Sequence, residues 1–146
     1  MARPAIIPES EVYGDAGVLT DCWTGDATFL FVPDKGGVAR DWLNIAAERI
    51  PDHYRTGFFG ILTSGSTGEP RLILGNKQRT ENLARALHDL QDSEPVQETV
   101  CALPLSYSYA FVNQWVWAQV FGRGLRLTAG FAQPDALKAA LEQTED

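Results

Sequence analysis

Short runs of β-branched and aromatic residues alternate with segments of helical periodicity, and this alternation restricts the possible folds more than any other feature of the chain. Predicted strands lie at 28–32, 57–62, 99–103 and 125–128. Helical patterns fill 38–50, 76–90, 110–121 and 136–141. Strands that alternate with helices favour an α/β fold. We therefore expect a mostly parallel sheet flanked by helices.

Two of the predicted helices carry apolar residues that share one face by helical spacing. The first face is made of Val38, Trp42, Ile45, Ala46 and Ile50, and the second is made of Leu83, Leu87 and Leu90. The last helical pattern lies behind Pro134, a residue typical of a first helical turn. The segment 110–121 is apolar and carries Trp115 and Trp117 on opposite sides by helical spacing, so at least one of them should pack in the core.

Composition limits the class of protein further. The chain has 146 residues, a net charge of −7 and 45% hydrophobic residues. A chain of this length buries roughly 68% of its unfolded surface, so a real core is expected. The excess of acidic residues argues against nucleic-acid binding, which depends on clustered Lys and Arg. No linker divides the sequence, and we expect one α/β domain or subdomain over residues 1–146.

Cysteine usage and hydropathy bear on cellular location. Cys22 and Cys101 lack the spacing of metal ligands, and reduced thiols are the simplest interpretation. The first ten residues show no secretory signal pattern. The longest apolar stretch, 109–121, is interrupted by Asn and Gln and is too short to span a membrane. We expect a cytoplasmic protein without a membrane span.

The segment 63–71, with the sequence TSGSTGEPR, is the unusual part of the chain. It follows a predicted strand and offers four hydroxyl groups, two glycines and a terminal arginine. Backbone N–H groups of a glycine loop, hydroxyl donors and a guanidinium group all bind phosphate oxygens. The same composition is equally typical of a flexible polar connector.

A Walker-type phosphate loop is the first alternative for this segment. Gly60 and Gly65 have the separation that the Walker pattern requires. Ser66, however, stands where that pattern needs its lysine. An ordinary P-loop NTPase is therefore disfavoured.

The nine residues resemble the TSG(S/T)TGxPK phosphate loop of the adenylate-forming superfamily, which includes acyl- and aryl-CoA synthetases and the adenylation domains of peptide synthetases. Arg71 is the only departure, since the family has lysine there. The preceding strand and the following helix fall in the family's order. The segment 104–111, PLSYSYAF, resembles the family's next motif more loosely. The chain thus resembles part of the N-terminal domain of these enzymes.

The resemblance implies a function and a set of site residues. Family members use MgATP to convert a carboxylic acid into an acyl-adenylate and then transfer the acyl group to a thiol. ATP and Mg²⁺ are the implied cofactors, and coenzyme A or a carrier-protein pantetheine is the implied acceptor. The phosphate-binding positions would be Thr63, Ser64, Gly65, Ser66, Thr67, Gly68 and Arg71. Arginine keeps the positive charge of the family's lysine but cannot lose its proton.

Tyr107 and Tyr109 fall in the segment that borders the acyl pocket in the family. The resemblance implies that they line a substrate pocket, whereas ordinary packing explains Tyr107 about equally well and Tyr109 slightly better. Ala110 replaces the family's usual glycine. His53 and His88 match no motif position and are assigned no role. For Lys77 and Arg79 we favour a solvated helix start over a contribution to phosphate binding.

Length sets the last expectation. Family enzymes are several times longer, and their adenine, ribose, magnesium and catalytic-lysine motifs all follow the segment present here. We therefore expect a fragment of a longer ligase that is inactive alone and needs the C-terminal portion in cis or in trans. Two alternatives stay open: a stand-alone nucleotide- or acyl-binding module, and an interaction domain that docks a partner through the apolar helix.

Overall fold

The computed structural model describes residues 2–34, 38–64 and 70–143, with the side chains of residues 64 and 131 left out. The chain divides between residues 78 and 79 into two compact units. Each unit has its own sheet. The single domain expected over residues 1–146 stays a prediction.

The N-terminal unit is built on a four-stranded sheet. Its strands are β1 (Ala5–Pro8), β2 (Phe29–Val32), β3 (Phe58–Ser64) and β4 (Pro70–Asn76), and they lie side by side in that order. β1 pairs with β2 and β2 with β3 in parallel, whereas β4 runs antiparallel to β3. The predicted mostly parallel sheet is confirmed.

Helices cover both faces of this sheet because β2 is apolar on both sides. α3 (Arg40–Glu48) packs on one face, where Leu30 and Val32 form a core with Leu43, Ala47 and Ile50. Phe29 and Phe59 are register partners on the opposite face. There α2 (Gly17–Thr24) places Trp23 with its ring centroid 5.3 Å from that of Phe59.

The apolar face predicted for α3 is wrong in part. Leu43 and Ala47 are buried, whereas Trp42 and Ile45 are 38% and 50% exposed. The helix packs on the sheet through Leu43 and Ala47, each of which follows a predicted position by one residue. The two large side chains are left beside β4, where they line an open groove.

The first elements of this unit were not predicted from the sequence. β1 is followed directly by α1 (Glu9–Gly14) and then by α2. β1 is only four residues long and includes a proline, so it carries almost no local strand signal. Its partner is β2, more than twenty residues later, and that pairing is what makes it a strand.

The C-terminal unit contains a two-stranded parallel sheet of β5 (Glu98–Cys101) and β6 (Gly124–Leu127). Most of α4 (Lys77–Leu90) and all of α6 (Pro134–Gln143) belong to this unit. In the part of α4 that belongs to this unit, Ala84 and His88 are buried, Leu87 is half-buried, and Leu83 and Leu90 are exposed. The leucine face predicted for α4 is therefore covered only in part.

The apolar segment between β5 and β6 is helical, as predicted, but most of it is a π-helix, Ala110–Val116, which continues as α5 (Trp117–Phe121). Phe111, Trp115, Val116 and Trp117 are all buried. Within the residues that the structure describes, no helix is long and apolar enough to cross a membrane.

Candidate phosphate-loop site

The segment singled out in the sequence connects β3 to β4 in an antiparallel hairpin. Thr63 pairs with Arg71 and Ser64 pairs with Pro70, so these two pairs close the base of the connection. Five residues, 65–69, join the paired ends. Gly65, Ser66, Thr67 and Gly68 therefore lie outside the described residues, and their predicted roles stay predictions.

The hairpin opens at the edge of the sheet where ligands commonly bind. β1, β2 and β3 are parallel, so their carboxyl ends share one edge. Ligands on open α/β sheets usually lie beyond that edge. The loop follows the carboxyl end of β3, as the sequence predicted.

A second feature of this edge concerns α1, which begins right after β1. The Asp34 carboxylate follows β2 and accepts a 2.7 Å hydrogen bond from the Ser10 backbone N–H and a 2.6 Å bond from the Ser10 hydroxyl. A helix N-terminus attracts anions, and here a carboxylate of the protein occupies that place. A phosphate at this edge would therefore depend on the loop and not on α1.

Arg71 supplies a cation at the base of the loop. It alternates along β4 with Leu72 and Leu74, which pack toward α3, and so it lies on the opposite face of the sheet. Arg71 is exposed, and its cross-strand neighbour Thr63 is half-buried. Directly opposed residues of this kind have Cβ atoms about 5 Å apart. A hydroxyl and a guanidinium group therefore share one face next to the loop.

The two tyrosines belong to the C-terminal unit and are exposed by 53% at Tyr107 and 61% at Tyr109. Tyr109 lines a cleft of about 160 Å³ between α4 and the π-helix, together with Gln91, Asn113 and Trp117. A substrate-pocket role for Tyr109 stays a prediction. Tyr107 is not among the residues that line this cleft.

Lys77 corrects an expectation, because it is buried and not a solvated helix start. Its Nζ donates hydrogen bonds of 2.9, 2.8 and 2.9 Å to the backbone carbonyls of Cys22, Gly25 and Ala27. It also lies 5.2 Å above the centre of the Phe29 ring. Burial lowers the pKa of Lys77, and the nearby Cys22 opposes that shift.

Lys77 lies at the opposite end of β4 from the loop, so it anchors the hairpin and does not reach a phosphate held there. It binds the Cys22 carbonyl in the last turn of α2 and the Gly25 and Ala27 carbonyls just after that helix, and a positive charge at a helix C-terminus is stabilising. Burial also raises the pKa of the neighbouring Cys22 thiol, while Lys77 acts in the opposite direction. Both cysteines are free thiols.

His88 is a second buried polar group that sequence reasoning did not find. Its Nδ1 accepts a 3.1 Å hydrogen bond from the Trp117 indole, and its Nε2 lies 2.8 Å from the Glu94 carboxylate. Its ring stacks on Phe121 with centroids 3.8 Å apart. Since an indole N–H only donates, Nε2 carries the proton that binds Glu94. The hydrogen bond from His88, followed by the charge of Arg123, lowers the pKa of Glu94.

The described part of the chain shows no cluster of side chains that could bind a metal ion. Within 2–34, 38–64 and 70–143, no group of three or more His, Cys, Asp or Glu side chains could hold a metal ion.

Comparison with known proteins gives a fold but no sequence match. No protein-family description matches the chain, and no curated protein matches its sequence. Solved structures do match, and three of them are of o-succinylbenzoate coenzyme A synthetase from Bacillus subtilis. The complex with the acyl-adenylate intermediate has a TM-score of 0.58 and 14% identity over 97% of this chain. The chain has the fold of that synthetase.

The other two structures agree with this result. A double mutant bound to a product analogue gives a TM-score of 0.59 and 13% identity over 97% of the chain. The complex with AMP gives 0.51 and 14% over 77%. The chain spans 34%, 37% and 48% of the three matched chains. The match covers the N-terminal part of the synthetase fold.

Proposed function

We propose that this chain is the phosphate-binding portion of an ATP-dependent acid–thiol ligase. In the first step a substrate carboxylate attacks the α-phosphorus of ATP, which forms an acyl-adenylate and releases pyrophosphate. In the second step a thiol attacks the acyl carbon, which forms a thioester and releases AMP. The thiol belongs to coenzyme A or to a carrier-protein pantetheine.

The placement of the TSGSTGEPR segment carries this proposal. The described ends of the motif, 63–64 and 70–71, lie at the carboxyl edge of a mostly parallel sheet, and the sheet belongs to a fold matched by a synthetase with an acyl-adenylate bound. Motif and fold are independent observations, because the structural match rests on only 13–14% sequence identity. Their agreement favours phosphate binding over a flexible connector.

Different groups of the hairpin would make different contacts with the phosphates of ATP. The loop's backbone N–H groups and hydroxyls would bind the β- and γ-phosphates. Arg71 would contribute a fixed positive charge, since it stands exposed at the loop's base on the face of Thr63. A magnesium ion bound with ATP would neutralise phosphate charge and make pyrophosphate a better leaving group.

Adenylation requires more than this loop. The chain spans about a third to a half of the matched synthetase chains, and we expect the 146-residue chain alone to be inactive. The carboxylic acid pocket would involve Tyr109 and the cleft beside it. Tyr107 as a second pocket residue and a cytoplasmic location stay predictions.

The test is carboxylate-dependent exchange of labelled pyrophosphate into ATP, measured on the polypeptide encoded by the natural gene with a panel of fatty, aryl and amino acids. Arg71→Ala should lower kcat/KM for ATP by about 10- to 150-fold, which corresponds to one hydrogen-bonded charge at about 1.5–3 kcal/mol. Arg71→Lys should recover most of that loss.

Arg40→Ala is the matched control, since Arg40 is an exposed arginine on α3 of the same unit. It should leave the exchange unchanged. An Arg71→Ala variant that exchanges as fast as the wild type would remove Arg71 from the proposed site. Binding of MgATP without exchange under any acid would favour the binding module instead.

A further inference from the structure

His88 is a buried histidine of the C-terminal unit that the phosphate loop does not explain. It is 4% exposed, and both of its ring nitrogens have partners. Nδ1 accepts a hydrogen bond from the Trp117 indole at 3.1 Å, and Nε2 donates one to the Glu94 carboxylate at 2.8 Å. These two bonds together fit only the neutral ring, because an imidazolium carries a proton on both nitrogens and accepts no hydrogen bond.

Protonation of His88 would therefore set two donors against each other. The new proton on Nδ1 would face the indole N–H of Trp117 across 3.1 Å, so one of the two rings would have to move. Histidine is the side chain whose charge ordinarily changes between about pH 5 and 8. The hydrogen bond that joins α4 to α5 is thus incompatible with a protonated His88.

The other contacts of His88 favour the charged ring and would keep it in place. Glu94 would form an ion pair with it, and the Phe121 ring, stacked on it at 3.8 Å, would attract a cation. Arg123 is the opposing charge, and it pairs with the other oxygen of the Glu94 carboxylate at 3.3 Å. The π-helix and α5 contain no charged residue. Trp117 is therefore the partner that loses its bond.

Trp117 connects His88 to the cleft between α4 and the π-helix. The cleft has a volume of about 160 Å³, and Trp117 lines it together with Tyr109 and Asn113. Because Trp117 is only 8% exposed, an indole N–H that loses His88 is left buried without its partner, which costs free energy until the ring moves. Movement of this ring changes a wall of the cleft.

We propose that His88 is a pH-sensitive positioning residue, which holds Trp117 as a wall of this cleft when neutral and releases it when protonated. Binding of a ligand in the cleft would then weaken as the pH falls. The switch does not depend on ligase activity, since all of its groups lie in the C-terminal unit. Its effect on a carboxylic acid rests on the proposed function, in which this cleft is part of the acid pocket.

The indole N–H signals of the ¹⁵N-labelled chain test the switch directly. The chain has 4 tryptophans, and Trp117→Phe identifies the signal of Trp117. Between about pH 8 and 5 this signal should move. Its exchange with water, corrected for the intrinsic effect of pH, should become about 2- to 10-fold faster, which corresponds to the loss of one hydrogen bond. If all the tryptophan signals change together, the chain unfolds as a whole and the proposal is wrong.

His53→Gln is the matched control, because His53 is the other of the chain's 2 histidines and is exposed in the N-terminal unit. It should leave the Trp117 transition unchanged. Glu94→Gln should move the transition to lower pH, since the carboxylate favours the imidazolium, and it should fold because the Glu94 side chain is 81% exposed. A Trp117 signal that stays constant with pH, or a transition that persists in His88→Gln, would overturn the proposal.

The polypeptide encoded by the natural gene separates this proposal from the proposed function. With an acid that supports pyrophosphate exchange, a fall from about pH 8 to about pH 6 should raise KM for the acid about 2- to 10-fold more in the wild type than in His88→Gln, with a smaller effect on kcat. Equal KM changes in the two proteins would refute the effect on the acid pocket. A Trp117 transition in a polypeptide that catalyses no exchange would refute the ligase assignment and support the switch.

Discussion

Replacing Lys77 by methionine should destabilise the N-terminal unit by about 3 kcal/mol. Methionine keeps the apolar stem but leaves three carbonyl groups, at Cys22, Gly25 and Ala27, without their donor. Unpaired carbonyl groups would cost about 1–3 kcal/mol each if all three were fully buried, which gives an upper limit near 9 kcal/mol. Gly25 and Ala27 are exposed residues, so water can replace part of the lost hydrogen bonding. The loss is smaller because methionine also removes the cost of burying the ammonium group, which is several kcal/mol.

Urea denaturation followed by circular dichroism measures this effect. With a slope of about 1–3 kcal/mol per molar urea, the midpoint should fall by about 1–3 M. Lys138→Met is the matched control, because the Lys138 side chain is 76% exposed and its ion pair among the described residues is with Glu142 at 3.9 Å. It should change stability by less than about 1 kcal/mol. A Lys77→Met variant as stable as this control would refute the anchoring role.

Three further predictions concern stability. Burial raises the pKa of the Cys22 thiol above 9.0, so the stability that the neutral thiol contributes is complete below pH 9 and is lost as the pH rises through the raised pKa. Cys22→Ala should flatten this loss of stability at alkaline pH, measured as the free energy of unfolding against pH. The hydrogen bond from His88 lowers the pKa of Glu94 below 4.5, so the stability that the ionised carboxylate contributes is present above pH 4.5 and is lost in acid. If Glu94→Gln leaves the fall of the unfolding free energy at acid pH unchanged, this prediction is wrong. A Cβ at Gly60 would collide with Leu30, so Gly60→Ala should cost about 1–3 kcal/mol in urea denaturation, and a neutral result would show that the sheet adjusts.

Hydrophobic periodicity predicted the elements of the fold better than their buried faces. The strands at 28–32 and 57–62 and the helix after Asn76 are present because strong local patterns support them. On α4, however, the sequence shows three leucines at helical spacing, while Ala84 and His88 are the buried positions beyond its first turn. Periodicity identifies an apolar stripe, and only the tertiary neighbours decide which stripe is covered.

The missed polar groups have a common physical reason. Lys77 and His88 are stabilised by partners that lie far away in the sequence or beyond a turn, at Cys22, Glu94 and Trp117. A lysine at a helix start ordinarily points to solvent, and no local pattern distinguishes one that three carbonyl groups surround. Burial of such groups is a property of the assembled fold.

The candidate site could be proposed from the sequence for the opposite reason. Backbone N–H groups and hydroxyls that bind one phosphate can come from neighbouring residues of a single loop, so the chemistry proposed for Thr63 to Arg71 is visible in the linear sequence. The structure adds what the sequence did not show, namely the antiparallel hairpin that pairs Thr63 with Arg71 at the carboxyl edge of the sheet.

The most direct test of phosphate binding is a titration of the ¹⁵N-labelled chain with MgATP, followed by amide chemical shifts. The account predicts that the largest shift changes lie within residues 63–71, that pyrophosphate reproduces them, and that Gly65→Val abolishes them. Shift changes confined to other parts of the chain, or none at millimolar MgATP, would contradict the assignment of this loop as the phosphate site.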